Sequence, residues 1–471
     1  MGSIDTKVGE ESHFDVLIIG AGISGINSAY RIQAELPHYN YAIIEARSAM
    51  GGTWDFFRYP GLRSDSDLHT FGFPWRPWSS PKSIADGQSI CKYIQESAAE
   101  YGIDKRVRYR HHVTSANWSS AEQQWSLAEA LQTMIPGLEN FKGVTVHPQF
   151  WPEDLDYTGK KMVVIGSGAT AITIIPVLAR KAAMVTMLQR SPSYIISQPA
   201  VDPFGELMRK LLPKWLAFKL VRWKFLLVPF LFYQFCRVYP GAARWILKRR
   251  AERELPKNIP HDPNFRPCYN PWEQRLCASP DGDFFQALRE GHADVVTDKI
   301  KTVTATGIET ESGRTLDADI IVTATGLKLQ LLGGATITID SKPLELSDKY
   351  VWKGQMLQDV PNAVLVVGYT NASWTLGSDS TSLQVSRLLK YMDRHGMAYA
   401  TARVPEGQKM ASVPIINLSS TYVEKARTML PRAGDTGPWK PRVNYIMDRW
   451  EAAHGSVTTD IEFTKAVKKD I

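Results

Sequence analysis

The stretch "FDVLIIGAGISGINSAYRIQAELPHYNYAIIEA" (residues 14–46) reads as strand, turn, helix and strand. "DVLII" is the apolar run of a strand buried in a parallel sheet. Gly20, Gly22 and Gly25 then make a G-x-G-x-x-G turn. The first glycine permits the tight bend, the second admits a pyrophosphate to the backbone, and the third lets helix and strand pack closely. A diphosphate would rest on the N–H groups of the helix start, where the dipole favours anions, and Ser24 lies inside that turn. Glu45 ends the second strand 20 residues past Gly25, where a carboxylate can accept both hydroxyls of a ribose. Strand, turn, helix and terminal acid together predict a dinucleotide-binding α/β unit whose ligand has a free ribose.

A second unit follows at residues 160–192, "KKMVVIGSGATAITIIPVLARKAAMVTMLQRSP". Its turn is G-x-G-x-x-A, and Gly166, Ser167, Gly168, Ala169, Thr170, Ala171 and Ile172 are the predicted nucleotide contacts. The second strand here ends in Gln189-Arg190-Ser191 rather than an acid. A carboxylate would repel a 2′-phosphate, whereas Arg190 can pair with one in a forked geometry. The first turn therefore suits an adenine dinucleotide with a free ribose and the second suits NADPH. Two nucleotide sites in one chain imply electron traffic, with NADPH reducing a bound flavin. "DADIIVTATGLKL" (residues 317–329) reads as a buried strand that returns the chain to the flavin half. "VPNAVLVVGYTNASW" (residues 360–374) reads as a further strand and glycine turn able to approach an isoalloxazine ring.

Composition bounds the alternatives. With 471 residues, 44% hydrophobic and 22% charged, the chain suits two or three globular domains. Its four cysteines have no paired short spacing, which argues against a disulfide framework or a metal site and for a reducing, cytoplasmic setting. The start "MGSIDT" formally meets a myristoylation pattern, and the polar residues after it have no apolar signal core. The net charge of +7 comes from cations interleaved with acids, so nucleic acid is not expected as a partner. Residues 209–253 are the exception, mixing cations with Trp, Phe and Leu. Their longest uncharged run, Phe225 to Cys236, is shorter than the ~20 residues of a bilayer span. A helical insert packing on its own protein accounts for this segment. Membrane-surface contact or a substrate tunnel are the other uses of such a helix.

Between the two turns lies "FKGVTVHPQFWP" (residues 141–152), which satisfies F-x-G-x-x-x-H-x-x-x-W-P. Together with "GGTWDFFRYPGLRSDSD", "HPQFWPEDLDY", "VVIGSGATA", "MLQRSP", "YNPWEQRLC" and "GYTNASW", it makes the chain resemble the Baeyer–Villiger monooxygenases. These are class B flavoprotein monooxygenases, and the resemblance runs nearly end to end, nearest to their ethionamide-activating subgroup. It implies FAD, NADPH and O2, a C4a-peroxyflavin, and insertion of one oxygen atom into a ketone to give an ester or lactone. It implies that Arg275 holds the peroxide and the developing oxyanion, and that Asp65 orients Arg275. Thr53 and Trp54 would flank the flavin, and the backbone of Val113, in a short strand, would meet the adenine. Arg63 and Ser64 would lie where nicotinamide meets flavin, and Trp374 is a candidate for the substrate pocket. His147 would act conformationally across the hinge, with Trp151-Pro152 fixing entry to the second domain.

The resemblance implies an FAD-binding domain over residues 14–148 and 327–471, and an NADPH-binding domain over 151–326 with a helical insert at about 198–267. The chain departs from the family in one place. From Leu127 to Ile135 it passes only through "AEALQTM", which reads as a helical turn and is too short for a further strand of ~5–6 residues with its connections. The loss would expose a sheet edge and weaken one wall of the flavin site. The leading expectation is oxygenation of a small apolar ketone. The same chemistry at sulfur or nitrogen, as on a thioether, and an inactive relative that retains flavin poorly are the alternatives.

Overall fold

The structure is a computed structural model; it describes residues 13–128, 141–326, 331–416, 418–442 and 444–466. The "AEALQTM" helical turn and the "MGSIDT" start lie outside these residues, apart from Ala128.

The opening stretch folds as strand β1 (Val16–Ile19), helix α1 (Ile23–Glu35) and strand β2 (Tyr41–Glu45). β2 is sandwiched between β1 and β3 (Val107–Tyr109), all three parallel. α1 buries Ile23, Ile26, Ala29 and Ile32, one helical stripe, against this sheet. Its other side receives the helix Trp374–His395, on which Asp379 takes a two-pronged bond from Arg31 at 2.8 and 3.1 Å. Strands β4 (Ser115–Ser119) and β5 (Gln124–Ala128) pair antiparallel, and Thr336–Ile339 adds to β4 in parallel, so the chain does return to its first half. Val113 sits in the connector between β3 and β4, not in a strand, although it is buried.

The second unit is a five-stranded parallel sheet. Its order is Ala293–Thr297, β8 (Met184–Gln189), β7 (Lys161–Ile165), Ile320–Thr323 and β6 (Val144–Val146). Helix Ala169–Leu178 packs on it, burying Ile172, Ile174, Ile175 and Leu178. Two sequence expectations are corrected here. The strand inside the fingerprint, β6, pairs with Ile320–Thr323 and so belongs to the second sheet, although the first domain was expected to run to residue 148. "VLVVG" (residues 364–368) forms no strand; its one ladder contact is an isolated bridge from Val364 to Met356. The Leu365 N–H is taken by the Gln355 carbonyl at 2.7 Å, and among the described residues β1 has a partner on one side only. Leu17 and Ile19 on β1 are 36% and 55% exposed.

Helices Pro203–Leu211, Lys214–Val238, Pro240–Glu254 and His261–Asn264 fill the region of the expected insert. The longest docks on the first unit: Arg222 Nη1 donates to the His69 carbonyl at 2.5 Å, and the Phe225 and His69 rings lie 5.2 Å apart.

Candidate active site

The first turn is built for close backbone approach. A Cβ on Gly25 would fall 1.9 Å from the Gly20 carbonyl oxygen, so only glycine lets α1 sit this near β1. A Cβ on Gly52 would stand 3.0 Å from the Gly22 Cα, and Gly52 holds φ +56°. The double glycine at 51–52 thus lies against the phosphate turn, leaving a cradle that side chains would fill. The α1 N-terminus has neither a side-chain cap nor an acid in its first turn, which leaves its N–H groups for an anion. Glu45, buried at the end of β2, accepts from the Ala21 N–H at 2.8 Å and from the Arg47 N–H at 3.0 Å, one bond per oxygen. Each carboxylate oxygen keeps further lone pairs for ribose hydroxyls. The Val113 stretch passes beside it, with the His111 N–H donating to the Glu45 carbonyl. Thr53 begins a short helix, and Trp54 packs edge-on to Phe71 with centroids 5.7 Å apart. These residues fit an adenine dinucleotide.

Trp374 is no core residue. It is 44% exposed, lies flat on Gly368, and donates its indole N–H to Ser24 Oγ at 3.1 Å. Only the fold joins residues 350 positions apart, so no sequence pattern announced this contact.

In the second turn Gly166 holds φ +137°, and a Cβ there would fall 2.2 Å from the Ala324 carbonyl oxygen. The following helix is again uncapped and free of acids in its first turn. Ala171 and Ile172 are buried packing residues, while Gly168 and Ala169 face outward. Ser167 donates to the Ser191 carbonyl at 2.8 Å, tying the turn to the end of β8. Arg190 stands exposed at that end. Gln189 was expected among the nucleotide contacts, but its side chain points inward and donates to Asn264 O at 2.7 Å and to Thr297 Oγ1 at 2.9 Å. With Arg190 exposed at the strand end and no acid in Gln189-Arg190-Ser191, the turn fits a 2′-phosphorylated nucleotide.

The loop 59–65 joins the halves. Tyr59 hydrogen-bonds the Thr170 side chain, and burial pushes its phenol up to about 12. Arg63 forms a forked ion pair with Asp283 of the second unit, while its Nε is buried with no partner among the described residues, leaving a donor for a ligand. Ser64 is buried and donates to the Ser66 carbonyl at 2.8 Å. Asp65 follows. Burial raises its pKa, and the nearby positive charges of Arg275 and then Arg63 oppose that shift. Arg275 is exposed on the loop leading to Cys277, whose sulfur lies 4.0 Å from the Ser167 carbonyl oxygen. Burial pushes the Cys277 thiol up to about 12, with the Asp65 charge adding to the effect. The fold therefore gathers Asp65, Arg275 and the second phosphate turn into one place. The contacts Tyr59–Thr170 and Arg63–Asp283 were not anticipated from sequence.

The fingerprint acquires a physical reading. The Phe141 ring folds over Gly143, where a Cβ would come within 2.5 Å of it and 2.4 Å of the Asp319 carbonyl oxygen. His147 Nδ1 accepts the Gln149 N–H at 3.2 Å and so caps the turn Pro148–Phe150, and burial lowers its pKa. Trp151 is buried in the core of the second unit.

Residues 18–80 match the NAD(P)-binding Rossmann-like domain, and residues 124–211 match the flavin-binding monooxygenase-like family. The chain is 46% identical to the FAD-containing monooxygenase EthA of Mycolicibacterium smegmatis over 480 residues, covering 96% of this chain and 97% of the relative. Those 480 positions meet only about 450 residues here, so the alignment passes roughly 30 residues that this chain lacks. In fold the chain is similar to an oxidized steroid monooxygenase bound to NADP, with a TM-score of 0.72 at 20% identity, covering 97% of this chain and 100% of that one. It is likewise similar to a cyclohexanone-bound cyclohexanone monooxygenase, with a TM-score of 0.70 at 19% identity, covering 96% and 99%. By its identity to the EthA relative over nearly its whole length, the chain belongs to the FAD-containing class B flavoprotein monooxygenases, the Baeyer–Villiger-type family.

Proposed function

We propose that this protein uses NADPH and O2 to insert one oxygen atom into a small apolar ketone, giving an ester or lactone. The observation that carries the reading is the Asp65–Arg275 juxtaposition beside the second phosphate turn. FAD would lie on the turn Gly20–Gly25 against Gly52, with Glu45 on its ribose, and NADPH on the turn Gly166–Ala171 with Arg190 on its 2′-phosphate. Together the two cofactors supply hydride transfer and oxygen activation. Arg275 offers a cation to the negative charge that develops on the substrate oxygen, and such charge stabilisation is usually the largest single catalytic contribution. A guanidinium also keeps its proton throughout, so it cannot quench an anion by donating one. Asp65 orients Arg275. The ketone-bound structural neighbour supports the substrate class.

Supplying a ketone and a thioether to the flavin-loaded enzyme tests this. An ester carrying one oxygen from labelled O2 is expected, while sulfoxide alone would move the assignment to oxygenation at sulfur. A second reading, in which flavin is held weakly, draws on the one-sided β1 and the half-buried 364–368 segment. Its signature is activity that depends on added FAD.

A further inference from the structure

Residues 203–254 contain twelve Lys or Arg against three Asp or Glu, a net of +9. The whole chain carries +7, so the rest of the molecule is slightly acidic and the basic excess belongs to the insert. Along helix Lys214–Val238, Leu220, Trp223, Leu227, Leu231 and Val238 are 38%, 52%, 40%, 61% and 64% exposed. Their spacing of three, four, four and seven places them on one helical face. Ala217, Val221 and Cys236 are the residues this helix buries. Lys219 and Arg237, both exposed, flank the apolar stripe. Leu207 and Leu211, one turn apart on the preceding helix, are also exposed, at 50% and 67%. Two exposed tryptophans of the insert each carry a cation: Lys219 Nζ lies 5.3 Å from the Trp215 ring centre, and the Arg249 guanidinium lies 5.8 Å from that of Trp245.

A water-facing stripe of Leu, Trp and Val this long is rare on a protein that presents it only to solvent. At 1.5 Å per residue the helix extends roughly 37 Å. No helix among the described residues is long and apolar enough to cross a membrane. An apolar stripe edged by cations, with amphipathic tryptophans, is the make-up of a helix lying in the bilayer interface. A second copy would bring one strongly basic segment against another, which opposes pairing. A nucleic acid would answer the charge and leave Leu, Trp and Val against water.

We propose that this face of the insert docks on an anionic lipid bilayer, with the Leu220–Val238 stripe in the acyl boundary and the flanking cations on the headgroups. This surface is separate from the Asp65–Arg275 site, so its test does not depend on the oxygenation reading. The flavin-loaded protein should co-sediment with phosphatidylcholine vesicles containing phosphatidylglycerol and much less with phosphatidylcholine alone, and salt should release it. Trp223→Glu/Leu227→Glu/Leu231→Glu should lower vesicle affinity at least tenfold while far-UV circular dichroism and Tm stay unchanged. Lys219→Gln and Arg237→Gln should each lower it about fivefold. Absence of binding to anionic vesicles, or unchanged binding by the folded triple variant, would overturn the proposal. So would a dimer in sedimentation that the triple variant dissolves, because the face would then belong to a second copy.

Discussion

Gly143 illustrates how much a single position decides. Its missing Cβ lets Phe141 fold over the backbone and lets β6 reach Asp319 of the neighbouring chain segment. Gly143→Ala forces a contact at 2.4 Å, and overpacking of this kind costs about 1–3 kcal/mol. Chemical denaturation should show that loss with an unchanged denaturant slope. Arg275→Ala is a different kind of change. The residue is exposed on its loop, so stability should hold while oxygenated product falls by at least a hundredfold, about 2.7 kcal/mol of lost transition-state stabilisation. Product at the normal rate would remove Arg275 from the mechanism. The placement of the glycines, Glu45 and Arg190 was legible in sequence because their spacing follows local strand-turn-helix geometry. Gln189 was not, because the direction of a strand-end side chain depends on Asn264 and Thr297, which the fold brings from far along the chain.

At the scale of elements, the two strand-turn-helix units could be read from apolar runs, while strand partners could not. "VLVVG" has the composition of a buried strand but bridges only to Met356, and among the described residues the first sheet stops at β1. A strand needs a neighbour to bond, and composition cannot supply one. Inserting a family-like strand and turn between Leu127 and Ile135 should raise both Tm and FAD affinity; no change in either would mean that the short connection is harmless. The seam between insert and first unit makes a pH-dependent prediction. His69 is buried there beside Arg209, and its pKa is lowered from 6.5 to about 4, chiefly by burial. The unfolded chain therefore binds the extra proton first, and stability falls as pH drops from 6.5 towards 4, by at most about 3 kcal/mol. Asp67 works in the opposite sense. Burial pushes its pKa up from 3.8 to about 6, so its contribution is lost as pH rises through that interval. The difference in Tm between the protein and His69→Gln isolates the histidine, and that difference should shrink as pH falls below 6.5. A constant difference would mean that His69 does not titrate between the two states.

For the whole molecule, the account requires two nucleotide sites to work as one. The halves are joined by the Arg63–Asp283 pair and the Tyr59–Thr170 bond, so the loop 59–65 reaches from the flavin half to the second phosphate turn. NADPH should be strongly preferred over NADH, and Arg190→Ala should raise the KM for NADPH with little effect on NADH. The most direct test is the flavin absorbance of the protein saturated with FAD, followed without oxygen as nicotinamide is added. The account predicts that flavin binds and that NADPH bleaches its absorbance much faster than NADH does. Failure to bind FAD at saturating concentration, or bound flavin that NADPH leaves unbleached, would contradict it.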